Sequence, residues 1–76
     1  MDNDPYNLIR DTVGIDIEYS MMDRVYYVIV DSNDIDDIVD RCRVAGILPT
    51  SYTYNVGYHR GISYGRIVWR YDYMED

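Results

Sequence analysis

A chain of 76 residues with one cysteine and one histidine has room for one small domain, and excludes an internal disulfide and an ordinary zinc site. Its formal charge of −7, from fourteen acids against seven arginines, repels nucleic acid and anionic membranes at long range and draws basic surfaces. The longest apolar run, Val25 to Val30, falls far short of the ~20 residues of a membrane-spanning helix, and the acidic start Met1-Asp2-Asn3-Asp4 lacks the basic region of a secretory signal. The expectation is a reduced, cytoplasmic, single-domain protein spanning residues 1–76.

The first predicted element is a short helix. Asp4 is placed to cap it, Pro5 suits the first helical position, and Leu8, Ile9 and Val13 give an apolar stripe that Gly14 ends. Ile15 to Ser20 then alternates Ile15, Ile17 and Tyr19 against Asp16, Glu18 and Ser20, the pattern of a half-buried strand. Val25 to Val30 is β-branched or aromatic throughout and reads as a second strand. A four-residue loop, Met21 to Arg24, pairs Ile15 with Val30, Ile17 with Val28, and Tyr19 with Tyr26 on one face. On the other face Asp16 meets Ile29 and Glu18 meets Tyr27.

Asp31 to Val44 carries the clearest helical period. Ile35, Ile38, Val39 and Cys42 form one apolar stripe, with Ser32 or Asn33 as cap. Acids crowd its start while Arg41 and Arg43 sit near its end, the order that suits the helix dipole. Gly46 and Pro49 stop it.

Ser51 to Tyr71 is read as a second hairpin turning at Arg60-Gly61. That turn pairs Tyr52 with Trp69, Tyr54 with Ile67, Val56 with Gly65, and Tyr58 with Ser63. The opposite face pairs Ser51 with Arg70, Thr53 with Val68, Asn55 with Arg66, and Gly57 with Tyr64, whose ring is placed to cover the glycine. In this register Tyr52, Tyr54, Tyr58 and Trp69 lie under the helix, and Gly65 makes room for large aromatics. The tail Asp72 to Asp76 is expected to fray. The predicted class is α+β with element order α-β-β-α-β-β: two β-hairpins form a four-stranded antiparallel sheet, with the central helix packed on one face.

Charge is distributed unevenly along these elements. Residues 1–40 hold eleven acids and two arginines, whereas residues 41–71 hold five arginines and no acid. On the central helix, Asp36, Asp37 and Asp40 fall opposite the apolar stripe. Carboxylates about one helical turn (~5.4 Å) apart can imitate backbone phosphates and occupy a nucleic-acid-binding groove. The plainer alternative is a solvated, well-capped helix face. The stretch Asp31-Ser32-Asn33-Asp34-Ile35-Asp36 alternates oxygen ligands like a calcium loop, but lacks the glycine at loop position six and the glutamate at twelve.

Tyr64, Arg66 and Arg70 interleave on the outward hairpin face, an arrangement that can stack bases and hold phosphates of a single strand. The alternative is pairing within the sheet, Asp16 and Glu18 against Arg66 and Arg70. His59 beside Arg60 has no second acid or base at catalytic spacing and reads as a turn residue. Cys42, on the apolar stripe, reads as a small core residue.

No catalytic set, metal or cofactor emerges. The expected function is therefore a small acidic protein-binding module, an inhibitor occupying the basic surface of a nucleic-acid-binding protein. It resembles in style the nucleic-acid mimics that phages direct against host defence, acidic anti-restriction and anti-CRISPR proteins among them, for which the location is the host cytoplasm. Asp34, Asp36, Asp37 and Asp40 would make the charged contacts, with Tyr27 and Tyr64 as anchors. The runner-up is a single-stranded nucleic-acid-binding module using Tyr64, Arg66 and Arg70, a mode that the net charge disfavours. An exposed strand edge and a second mixed sheet face leave room for a homodimer.

Overall fold

The computed structural model describes residues 5–70. The elements are helix α1 (Pro5–Val13), strands β1 (Glu18–Ser20) and β2 (Val25–Asp31), helix α2 (Ile35–Ala45), and strands β3 (Ser51–His59) and β4 (Ile62–Arg70). The four strands form one antiparallel sheet in the order β1-β2-β4-β3, so the two hairpins join through their second strands. The expected Asp4 cap and the tail beyond Arg70 lie outside the described residues. No described helix is long and apolar enough to cross a membrane.

Strand β2 takes a central position because its residues are apolar on both faces. Tyr26, Val28 and Val30 are buried, opposite Trp69, Ile67 and Gly65 of β4. Ile9 and Val13 of α1 and Ile35, Ile38 and Cys42 of α2 complete the core on this face, together with Ile17 and Ile47 from loops. Fully burying each large apolar side chain contributes ~1.5–3 kcal/mol.

The first hairpin keeps the register read from its alternation, with Glu18 opposite Tyr27 and Tyr19 opposite Tyr26. The strand is shorter than its pattern, however. Ile15 and Ile17 precede it; Ile17 is buried in the core while Ile15 is exposed. The loop is the four-residue connection Met21–Arg24, closed by the Arg24 N–H donating to the Ser20 carbonyl at 2.7 Å.

Helix α2 is entered through a 3-10 turn, Ser32–Asp34. Neither Ser32 nor Asn33 caps α2: the Asp31 carboxylate caps the 3-10 turn, accepting from the Asn33 N–H at 2.9 Å, and Asp34, at the N-cap of α2, makes no side-chain cap bond. The helix ends at Gly46, whose φ of 82° lets its own N–H and that of Ile47 return to the Arg43 and Cys42 carbonyls.

The second hairpin departs from its expected register. Beside the turn the pairs Gly57–Tyr64 and Tyr58–Ser63 hold, and His59 meets Ile62 across Arg60-Gly61. Both turn residues have positive φ, 54° and 80°, the type I′ geometry of two-residue hairpins. Farther along, Ser51 pairs with Val68, Tyr52 with Ile67 and Thr53 with Arg66. Tyr54, Asn55 and Val56 bulge out opposite the single residue Gly65.

Asn55 makes the bulge: its φ is 57°, its N–H donates to Ser32 Oγ at 3.0 Å, and its Oδ1 accepts from the Ser63 hydroxyl. The reason lies beneath Gly65, where a Cβ would come within 2.3 Å of Ile35 Cδ1 and 2.7 Å of the Thr53 carbonyl oxygen. Gly65 therefore admits the start of α2 and the bulge rather than aromatic rings.

The tyrosines expected under the helix are a second correction. Every residue of β3 is exposed, Tyr52 at 44%, Tyr54 at 42% and Tyr58 at 77%. Of that predicted set only Trp69 is core, fully buried. The strand order explains this: β3 is an outer strand, and the core lies over β2 and β4. Nor does Tyr64 cover Gly57, since nothing stands within 4 Å of where a Cβ would be.

Candidate interaction surfaces

Two surfaces gather the residues singled out in the sequence. The first is the outer side of α2 with the turn before it. Burial of Ile35, Ile38 and Cys42 turns Asp36, Asp37 and Asp40 outward, and Asp34 is exposed with them. Three of these acids have partners within the chain. Asp37 pairs with Arg41 at 3.3 Å, Asp40 with Arg43, and Asp36 accepts from the Tyr54 hydroxyl. Arg41 also donates to the Thr12 carbonyl at 3.3 Å, joining α2 to α1.

The hydrogen bond to Asp36 holds the Tyr54 phenol above its ordinary pKa, with burial and the neighbouring negative charge adding in the same direction. This contact ties the helix to the outer strand, and no residue spacing foretells it, because it joins positions 18 apart on different elements.

The second surface is the sheet face turned away from the helices. Side chains of paired strand residues share a face, so Glu18 lies beside Tyr27 and Tyr27 beside Val68. Ile29 lies beside Arg66, Val25 beside Arg70, and Asp31 beside Tyr64. Ser51 and Thr53 of β3 continue the rows. A groove of about 390 Å³ runs here, lined by Ser20, Asp23, Val25, Tyr27, Ile29, Ser51, Arg66 and Val68. Tyr27, Tyr64, Arg66 and Arg70 thus share one face, but Asp34, Asp36, Asp37 and Asp40 stand on the far side of the sheet. One flat partner cannot touch both sets.

The expected ion pairs across this face do not form for Arg66. Strand β2 separates β1 from β4, so the Glu18 and Arg66 side chains rise side by side from backbones two strand spacings (~10 Å) apart instead of pointing towards each other. Asp16 precedes β1 altogether. Apolar Val25, Ile29 and Val68 were not singled out as surface residues, although the unbroken apolar run of β2 signalled a strand apolar on both faces.

His59 ends β3, exposed beside the turn. The calcium-like stretch Asp31–Asp36 is a 3-10 turn running into a helix, and among the described residues no three His, Cys, Asp or Glu side chains are placed to hold a metal.

Cys42 is fully buried, and desolvation pushes its thiol up to about 11, partly offset by the charge of Arg41. The unfolded thiol ionises near its ordinary 9.0, so between these values the folded state holds a proton that the unfolded state releases. The stability this represents is intact below pH ~9 and is lost as pH rises through about 11, on the order of 1 kcal/mol. Urea melts at pH 8 and pH 11 are expected to show a smaller alkaline loss for Cys42→Ala than for the wild type. Equal losses would assign the effect to tyrosines alone.

No protein-family model matches the chain, and neither the curated proteins nor the solved structures contain a match to it.

Proposed function

We propose that this chain is a non-enzymatic protein-binding module that occupies the basic surface of a nucleic-acid-binding protein, the acidic face of α2 standing in for backbone phosphates. One observation carries the reading: Asp34, Asp36, Asp37 and Asp40 are all exposed at the start and along the outer side of one helix. Their internal partners Arg41, Arg43 and Tyr54 are exposed too. Exposed pairs of this kind contribute little, so cations of a partner can replace them at small cost. The net charge of −7 steers association with a basic surface and makes it fast and salt-sensitive. Small size, acidity and the absence of a recognisable catalytic set agree with an inhibitor of the phage anti-defence type, anti-CRISPR proteins included.

The immobilised chain is expected to retain a nucleic-acid-binding protein from a bacterial lysate and release it with salt. Reversing Asp36 and Asp37 to arginine is expected to lower that capture about tenfold or more. Undiminished capture by the double variant would falsify the mimicry.

A second reading has its own observation in the groove, where Tyr27 and Arg66 stand on the face that also carries Tyr64 and Arg70. That arrangement suits stacking and phosphate contact with a single strand. A mobility-shift assay at low salt decides it, and failure to shift any single-stranded DNA or RNA rules it out.

A further inference from the structure

The groove face has a composition that solvation alone does not account for. An antiparallel sheet with one face on the core normally turns polar residues to water on the other. Here β2 turns out Val25, Tyr27 and Ile29, with Val68 of β4 beside them. Ile29 is 47% exposed, and the other three are half-buried. Both helices contribute to the core on the opposite face, so this apolar stripe has no cover from the described part of the chain.

The charges beside the stripe are arranged by strand. Glu18 lies on the β1 side and Arg66 on the β4 side, with β2 between them. Among the described residues neither has an ion-pair or side-chain hydrogen-bond partner. The order across the face is thus acid, apolar, base. Such an order is complementary to itself. A two-fold axis running along β2 lays the apolar column on its own copy and brings β1 of each chain over β4 of the other. Glu18 of one copy then stands over Val68 of the second, within an arginine's reach of Arg66, and the symmetry makes the same contact twice. The one like-charge approach is Asp31 with its own copy at the far end of β2, and that carboxylate is turned back to accept from the Asn33 N–H at 2.9 Å.

We propose that the open sheet face is the interface of a symmetric homodimer, in which the Val25, Tyr27, Ile29 and Val68 surfaces stack and Glu18 of each chain pairs with Arg66 of the other. Stacked sheets of this kind pack ~10 Å apart with strands within ~30° of alignment. A footprint of roughly 20 by 25 Å is at the small end of specific interfaces, so the dimer dissociates on dilution. It leaves α2 on the outside of both chains, free for the partner proposed above.

Sedimentation equilibrium across a concentration series tests this, with circular dichroism confirming that each variant is folded. The wild type is expected to approach twice the 9.0 kDa of one chain. Glu18→Arg and Arg66→Glu, each bringing like charges together, are each expected to weaken the dimer about tenfold or more. Combining them restores opposite charges and is expected to recover the dimer. Asp36→Arg/Asp37→Arg is expected to dimerise like the wild type, which keeps this result separate from the fate of the acidic-helix reading. A wild type that stays monomeric to its solubility limit overturns the proposal. So do single variants that dimerise unchanged, a combined variant that fails to recover, or a monomer that uses Arg66 to bind single-stranded nucleic acid.

Discussion

Trp69→Ala is expected to lower the unfolding free energy by about 3–5 kcal/mol, a large share of the total. A domain of this length has roughly 4–11 kcal/mol in total. Trp69 is the largest fully buried side chain and sits on β4, in the middle of the sheet. It also does something no apolar residue can do: its indole N–H donates to the Ile47 carbonyl at 2.9 Å. That bond fixes the loop leaving α2 where it turns back towards β3. There the Thr50 N–H reaches the Val68 carbonyl at 2.8 Å and the Arg70 N–H reaches Thr50 Oγ1 at 3.0 Å. Trp69→Phe separates the two contributions. It keeps most of the packing but leaves the buried Ile47 carbonyl without its donor, at a cost of ~1–3 kcal/mol. Urea melts followed at 222 nm measure both variants, and a phenylalanine variant as stable as the wild type would show that the hydrogen bond contributes nothing.

Gly65→Ala is the second large effect, about 2 kcal/mol of destabilisation. Alanine reduces the freedom of the unfolded chain and by itself stabilises by ~0.4–1 kcal/mol. Against that, the new methyl would meet Ile35 Cδ1 at 2.3 Å and the Thr53 carbonyl oxygen at 2.7 Å, well inside the ~3.5–4.0 Å of an ordinary contact. Neither neighbour yields easily: Ile35 is fully buried at the first position of α2, and the Thr53 oxygen is backbone at the edge of the bulge. Overpacking of this kind typically costs ~1–3 kcal/mol. The control is Gly57→Ala, where nothing lies within 4 Å of the added carbon and the change is expected to stay within ~0.5 kcal/mol. In a domain of this size the Gly65 variant should melt ~8–16 °C lower. Equal melting temperatures for the two alanine variants would mean that α2 does not press on β4 at this point.

The α+β class and the four antiparallel strands were legible because alternation and turn chemistry act over short distances. Glu18 meets Tyr27, and Tyr58 meets Ser63, where the loop lengths put them. The outward direction of Asp36, Asp37 and Asp40 follows in the same way from a helical period. The bulge at Asn55 left no trace in the pattern, because a shift of two residues preserves which face each side chain takes. Tyr52, Tyr54 and Tyr58 read as core because they alternate. Alternation cannot say whether a strand lies in the middle of a sheet or at its margin, and here the margin decides their exposure. The same ignorance of strand order made Glu18 and Arg66 look like partners. Only the position of β2 between them, fixed by contacts distant in sequence, keeps them apart.

The kink at Asn55 has a bearing on colloidal behaviour. Ser51 to Tyr58 carries no charge, proline or lysine and forms a long outer strand rich in tyrosine, the makings of open-ended strand addition and fibrils. The left-handed Asn55 divides it into two regular runs, Ser51–Thr53 and Gly57–His59, and the Asn55 N–H is already committed to Ser32. An incoming strand would find three residues of template, then a bend, then three more in a different line. The crowding around Gly65 therefore protects against polymerisation: the backbone distortion that accommodates the helix also spoils the longer of the two outer strands, the nine-residue β3, as a template for a fibre.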